Sequence, residues 1–230
     1  MKDNLQTWSG DAQVMKTFAF SRTSLTVLTV GWLLLIGAGF VALASYQNQA
    51  GESAEHQSAW EKSPLIQRDA AQCQLLVFLH PHCPCSSATL NELARIQATC
   101  QNRLAIQVVI YYPLGADADW LQTPNVKLAQ QIPNAQWTLD PDGNSARELG
   151  VRTSGHTILL SPRGDLIFSG GITSSRGHEG ANLGRQAIER YVCLGEKTVD
   201  QTHVYGCPIF GTSDEEKTTT QPRKASDGAK

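Results

Sequence analysis

The plainest pattern along the chain is an apolar stretch, LTVLTVGWLLLIGAGFVALA from Leu25 to Ala44, with no charged residue in it. Roughly 20 residues at 1.5 Å each match a hydrocarbon core ~30 Å thick. The apolar residues occupy every side instead of one stripe, which predicts a membrane span and not an amphipathic core helix. Lys2, Lys16 and Arg22 precede the stretch, and Lys62 is the first lysine or arginine after it. The positive-inside bias therefore predicts a cytoplasmic segment 1–24, an anchor helix 25–45, and transfer of everything beyond it to the far side. Ala42-Leu43-Ala44 has the form of a signal-peptide processing site. The long polar leader and the length of the span favour a retained anchor, and both outcomes place the remainder on the same side.

Beyond the span, residues 46–71 are polar and lack a helical or strand period, so they read as a tether. A flexible coil of about 25 residues would let a domain move roughly 25–30 Å from the bilayer. Residues 212–230 are charged and Thr-rich, the composition of a disordered tail. The intervening 72–211 alternates strand and helix patterns. Gln74–Leu79 (QLLVFL) is a continuous apolar run suited to a strand buried on both faces. Leu90, Leu93, Ala94 and Ile96 recur in helical order over 84–99, and Arg103–Tyr112 is a second strand. Asn125–Gln131 reads as a short helix, Asp140–Asn144 as a turn, and Ser145–Leu149 as a helical piece closed by Gly150. His156–Leu160 and Asp165–Phe168 flank Ser161-Pro-Arg-Gly as a hairpin. Asn182–Cys193 closes the domain as a helix with Leu183, Ala187, Ile188 and Tyr191 inward. The order β-α-β-α-β-β-α predicts an α/β domain with a central mixed sheet flanked by helices on both faces.

Charge adds little. A net −2 with a pI near 6.3 gives no basic face for nucleic acid. Cysteine usage adds more: all six lie from Cys73 onward, a set that fits an oxidising compartment with some of them bridged.

The candidate chemistry lies in His80-Pro81-His82-Cys83-Pro84-Cys85-Ser86, where a buried strand gives way to a helix. Unpaired N–H groups and the positive end of the helix dipole stabilise a thiolate there, which predicts a depressed pKa at Cys83. Pro84 suits the first helical turn. Cys85 is placed to resolve a mixed disulfide formed at Cys83. A Cys-X-Cys bridge closes a small, strained loop and is easily reduced, which suits donation or reshuffling of disulfides. The alternative is a Cu(I) or Zn site from His80, His82, Cys83 and Cys85, although so tight a spacing makes tetrahedral geometry difficult. Otherwise the two histidines tune the charge of the sulfurs.

With these residues in view, Gln74 to about Tyr191 resembles the membrane-tethered bacterial thioredoxin-like proteins of the TlpA/ResA and AhpC/TSA-like group. FLHPHCPCS and FSGGITSSRGHEG resemble the subfamily labelled RedB-like, and DPDGNSARELGVRTSGHTILLSPRGDLIFSGGI is similar to the later helix, substrate-side loop and hairpin. The resemblance implies a thioredoxin-like fold with its reactive cysteine at Cys83. It also implies thiol–disulfide chemistry without a bound cofactor. Two departures stand out: Ser86 occupies the usual resolving position, and Gly155 stands where the family has a cis-proline, leaving His156 free to approach the sulfurs. In such a fold the Gly-rich stretch 170–184 borders the cysteine loop, making Arg176 and His178 neighbours of the site.

Sixteen residues of helix cover ~24 Å and six of strand ~20 Å, so Cys100 should return near Cys73 and bridge to it. Cys193 and Cys207 form the other candidate pair, unless Cys207 instead resolves a disulfide with Cys83 or Cys85. The resulting expectation is a thiol–disulfide oxidoreductase on the periplasmic side of a bacterial inner membrane. Its partners would be thiol- or disulfide-bearing proteins or small thiols. A metal chaperone or sensor and a thioredoxin-like binding module without turnover are the alternatives.

Overall fold

The structure is a computed structural model and describes residues 21–52, 63–66 and 71–211; the expected disordered tail lies outside the described residues. The chain divides after Ala44 into two units. The first is dominated by helix α1, Arg22–Gln47, whose most apolar 18-residue window has a mean hydropathy of 2.3 and none of it buried. It is long and apolar enough to cross a membrane. The Thr26 and Thr29 hydroxyls donate to the carbonyls of Arg22 and Leu25, each at 2.9 Å. Their polar groups are thereby satisfied inside the helix, as a hydrocarbon setting requires.

The second unit has the thioredoxin-like α/β arrangement. Five strands, β1 Cys73–Leu79, β2 Leu104–Tyr112, β3 Ala135–Pro141, β4 His156–Leu160 and β5 Leu166–Gly171, form one sheet in the order β3-β2-β1-β4-β5. β1, β2 and β3 run parallel, and β4 and β5 join antiparallel. Helices α2 Ser86–Cys100, α3 Pro124–Gln130, α4 Asn144–Glu148 and α5 Leu183–Leu194 complete it.

β1 explains why its sequence is apolar without alternation. Leu75, Val77 and Leu79 face a core built with α2, α3 and α5, whereas Leu76 and Phe78 face a second core containing Ala146, Leu149, Ile209 and Phe210. Each residue of the strand is buried, on one face or the other. Between α2 and α5 sits a buried carboxylate. Glu92 is wholly buried, with Oε2 2.7 Å from Arg185 Nε, and Oε1 accepts the Gly180 N–H at 2.7 Å. Asn182 caps α5 by accepting the Arg185 N–H at 2.7 Å, and its amide also reaches Glu92.

The sequence pattern missed β3. Only Asp140 of its seven residues is buried, so this edge strand carries no apolar run, and its terminal Asp-Pro reads as the start of a turn. α2 begins at Ser86, two residues later than expected, because Cys83, Pro84 and Cys85 are spent in a turn closed by Ser86 N–H to Cys83 O at 3.1 Å. Leu183 is exposed, not inward. The tether is also less free than its composition implies: the Gly51 N–H donates to Val204 O at 2.8 Å, and the Gln74 side chain donates to Leu65 O at 2.7 Å.

Arg185→Ala leaves buried Glu92 with the longer contact to the exposed Arg95, 3.7 Å away, as its remaining ion pair. The expected loss is about 3 kcal/mol of stability, read from denaturant unfolding of the purified protein, whereas Arg190→Ala, at an exposed pair, should change it by less than ~1 kcal/mol.

Candidate active site

Three sulfurs converge at the end of β1. The Sγ atoms of Cys83, Cys85 and Cys207 all lie within 4.8 Å of one another. The sequence named all three, but paired Cys207 first with Cys193. Cys83 follows β1 in a turn in which its N–H donates to His80 O at 3.1 Å. The Asn125 side chain clamps that turn from α3, donating to Pro81 O and Cys83 O at 2.9 Å each. Cys85 occupies the N-cap position of α2 with helical backbone angles and no side-chain cap.

Cys207 arrives on the C-terminal segment 200–210. This segment first runs beside β5, with a parallel bridge between Ser169 and Gln201 and the Ser169 N–H donating to Asp200 O at 2.9 Å. It then crosses to residues 152–154 as an antiparallel partner. The Ser154 N–H donates to Cys207 O at 2.9 Å, the Ile209 N–H donates to Arg152 O at 2.8 Å, and Thr153 bridges Pro208. One glycine on each side serves this approach: a Cβ on Gly171 would lie 2.5 Å from His203 O, and one on Gly206 would strike the Ser154 carbonyl. Val204, Ile209 and Phe210 are buried. Burial of such side chains contributes roughly 1.5–3 kcal/mol each before ordering costs. The segment is therefore an integral part of the domain.

The Cys207 N–H lies 3.3 Å from Cys83 Sγ and donates to it. Burial pushes the Cys83 thiol up, but this N–H, the Cys207 thiol, the Ser86 hydroxyl and the Cys85 N–H together outweigh it and hold the thiol below the ordinary range. Cys85 is raised, by burial and then by the charge on Cys83, with Arg176 pulling the other way. Cys207 is pushed up to about 12 by burial, by its hydrogen bond to Cys83 and by the charge there. Cys83 is thus the most readily ionised of the three sulfurs. It is also covered: Cys83 is 1% exposed, yet belongs to neither apolar core, whereas Cys85 and Cys207 are half-buried.

The expected histidine roles do not hold. His80 stacks on Tyr111 with ring centroids 5.4 Å apart, and its Nδ1 accepts the His82 N–H at 3.1 Å. Burial, then the His82 charge, lowers its pKa to about 4. His82 packs 4.3 Å from the Trp120 ring, and its Nε2 lies 3.1 Å from Trp120 O. A four-ligand cluster of His80, His82, Cys83 and Cys85 is therefore not assembled; the grouping of ligand atoms among the described residues is the cysteine trio. His156 turns away from the sulfurs to Ser169, its Nε2 2.8 Å from Oγ. Arg176 does reach the site, where it acts on Cys85 and donates to Gly206 O at 2.5 Å. His178 is exposed in a turn and is not part of the sulfur cluster.

Gly155 shows why proline is absent. Its φ is +92° and its N–H donates to Phe78 O at 2.7 Å; proline can do neither. Ser154, Ser86 and Asn125 position the site without any sequence signature. Ser154 Oγ accepts the His80 N–H and lies 2.9 Å from Ser86 Oγ. The remaining cysteines also regroup: Cys100 Sγ lies 3.6 Å from Cys193 Sγ, with Cys73 in the same core and near enough to act on the Cys100 thiol. The expected helix-to-strand return is real, but α5 packs beside α2 and brings the end of one helix to the end of the other.

No protein-family model and no curated protein sequence matches the chain. Solved structures do share its fold. A hypothetical protein of Sinorhizobium meliloti 1021 superposes with a TM-score of 0.51 at 15% identity, covering 71% of this chain and 96% of that one. An uncharacterized conserved protein from Geobacillus kaustophilus gives 0.50 at 16%, covering 70% and 92%. A secreted Mycobacterium tuberculosis disulfide oxidoreductase gives 0.38 at 14%, covering 54% and 82%. The first two likenesses, at 15% and 16% identity, speak to the fold alone.

Two outcomes are expected. Burial lowers the His156 pKa to about 4, so the folded state binds fewer protons than the unfolded one below pH ~6.5. Its contribution is intact above that value and is lost as pH falls through about 4, by roughly 3 kcal/mol; His156→Gln should flatten that part of the stability–pH curve. Oxidised protein digested without reduction should yield a Cys100–Cys193 peptide pair and no Cys73–Cys100 pair.

Proposed function

We propose that this protein carries out thiol–disulfide exchange at Cys-Pro-Cys, tethered by α1 to the bacterial inner membrane with its thioredoxin-like domain on the periplasmic side. The observation that carries the reading is the convergence of three sulfurs within 4.8 Å of one another, with the Cys207 N–H donating to Cys83 Sγ and helping to lower its pKa. A stabilised thiolate is the nucleophile of exchange, and a second sulfur within reach is what completes it. The charge bias around α1 and the confinement of all six cysteines to 73–207 support the oxidising side of the membrane.

Cys83 is not an open nucleophile, being almost wholly buried. Its cover over the sulfur is the stretch 205–208, of which Tyr205, Cys207 and Pro208 keep some exposure. Exchange requires that this stretch give way locally, a motion much smaller than unfolding of its buried anchors Val204, Ile209 and Phe210. Thiolate attack breaks the disulfide of the substrate, forms a mixed disulfide at Cys83 and releases one substrate thiolate.

The test uses the full chain in detergent micelles with a model disulfide. Cys83→Ser should abolish exchange, and Cys83 should alkylate at lower pH than the other five cysteines. Wild-type turnover in Cys83→Ser would sink the reading.

A further inference from the structure

Residues 152–154 border the cysteine loop, where Ser154 Oγ meets the His80 N–H and Ser86, and the chain's own C-terminal segment occupies their backbone. An open edge of this kind, next to a reactive sulfur, is where an extended peptide would add as a strand, using main-chain hydrogen bonds. Here the Ser154 N–H and the Arg152 carbonyl are already bonded to Cys207 and Ile209, and Thr153 is bridged to Pro208. The Arg176 guanidinium holds the same segment from outside through Gly206 O, and the Gly51 N–H holds Val204 O. Gly206 fits beneath Ser154 only because it has no Cβ. The residue that this built-in strand delivers to Cys83 is itself a cysteine.

We propose that segment 204–210 is a resident strand that fills the docking edge and supplies Cys207 as the resolving thiol, so that the site takes low-molecular-weight disulfides and not extended polypeptide segments. The proposal deepens the exchange reading above and rests on it. Cys207 approaches Cys83 from across the turn, on a separate piece of chain. Cys85 is joined to Cys83 through Pro84 and sits with helical angles at the start of α2, so a Cys83–Cys85 bond must be closed across a proline inside one tight turn. A small disulfide RSSR needs only the partial exposure that Cys85 and Cys207 keep and a slight lift of 205–208. Cys83 thiolate attacks one sulfur, giving Cys83–S–S–R and one RS⁻. Cys207 passes its proton to that thiolate and attacks Cys83 Sγ. The second RS⁻ leaves with the proton first lost by Cys83. Two protein thiols become the Cys83–Cys207 disulfide while RSSR becomes two RSH, and an external dithiol reverses the change.

The experiment treats the full chain in micelles with oxidised glutathione, and in parallel with a disulfide-linked extended peptide, and maps the products by mass spectrometry. The wild type should end as Cys83–Cys207 and react with glutathione at least about tenfold faster than with the peptide. Cys207→Ser, and independently Cys207→Ala, should stop at the Cys83 mixed disulfide, whereas Cys85→Ser should still end as Cys83–Cys207. Gly206→Ala should lift the strand and raise the peptide rate relative to the glutathione rate. A Cys83–Cys85 end product in the wild type would overturn the proposal. So would equal rates for the two substrates, or protein purified with a soft metal on all three sulfurs that forms no disulfide on oxidation. If Cys83 reacts with neither substrate, the exchange reading itself falls.

Discussion

The arrangement of sulfurs depends on a single dipeptide. Ser154 and Gly155 tie together each element that meets at the site. The Gly155 N–H bonds the end of β1 at Phe78, and Ser154 Oγ takes the first N–H of the cysteine loop at His80. The same hydroxyl touches Ser86 at the start of α2, and the Ser154 N–H receives the C-terminal segment at Cys207. Gly155 can do this only in the left-handed region, at φ +92°, where an added Cβ would also crowd Thr89 Oγ1 at 2.9 Å. A cis-proline at this position would orient the same stretch by fixing its own angle; the glycine orients it through hydrogen bonds, and so keeps an N–H that proline lacks.

From that fixed frame the electrostatics follow. Burial alone would raise each thiol, and it does so for Cys85 and Cys207. Cys83 escapes because hydrogen-bond donors from two separate pieces of chain, the α2 turn and the C-terminal segment, converge on it. The cost is access. The N–H that lowers the Cys83 pKa belongs to the segment that covers it, so the same contact favours the ionised sulfur and helps keep it from solvent.

What the sequence disclosed and what it hid divide along physical lines. β1, β2, the hairpin and the helices were legible because burial on both faces, or on one stripe, writes a period into the residues. The cysteine turn was legible for the same reason, as a break in that period. β3 was hidden because an exposed edge strand needs no apolar pattern, and its pairing comes from the β2 backbone. The sulfur partners were hidden because helix-to-helix packing, not helix-to-strand distance, decides that Cys100 meets Cys193. Cys207 was visible as a residue; its approach depended on Gly171 and Gly206 admitting the segment, and small residues serve many turns. The histidines misled for the opposite reason. Spacing placed His80 and His82 beside the cysteines, but Tyr111 and Trp120 offered the rings a better surface.

That aromatic capture changes how the site responds to acidity. Had His80 faced the sulfurs as an imidazolium, the charge beside the thiolate would vanish across neutral pH. Its pKa near 4 removes it from that role. The cation that remains at the sulfurs is the Arg176 guanidinium, which does not titrate in proteins, and the other stabilisers are N–H groups and a hydroxyl. None of these changes charge between pH 5 and 8. The thiolate fraction at Cys83 therefore follows its own pKa and its coupling to Cys207. A field built of such fixed donors holds steady where the surrounding pH swings.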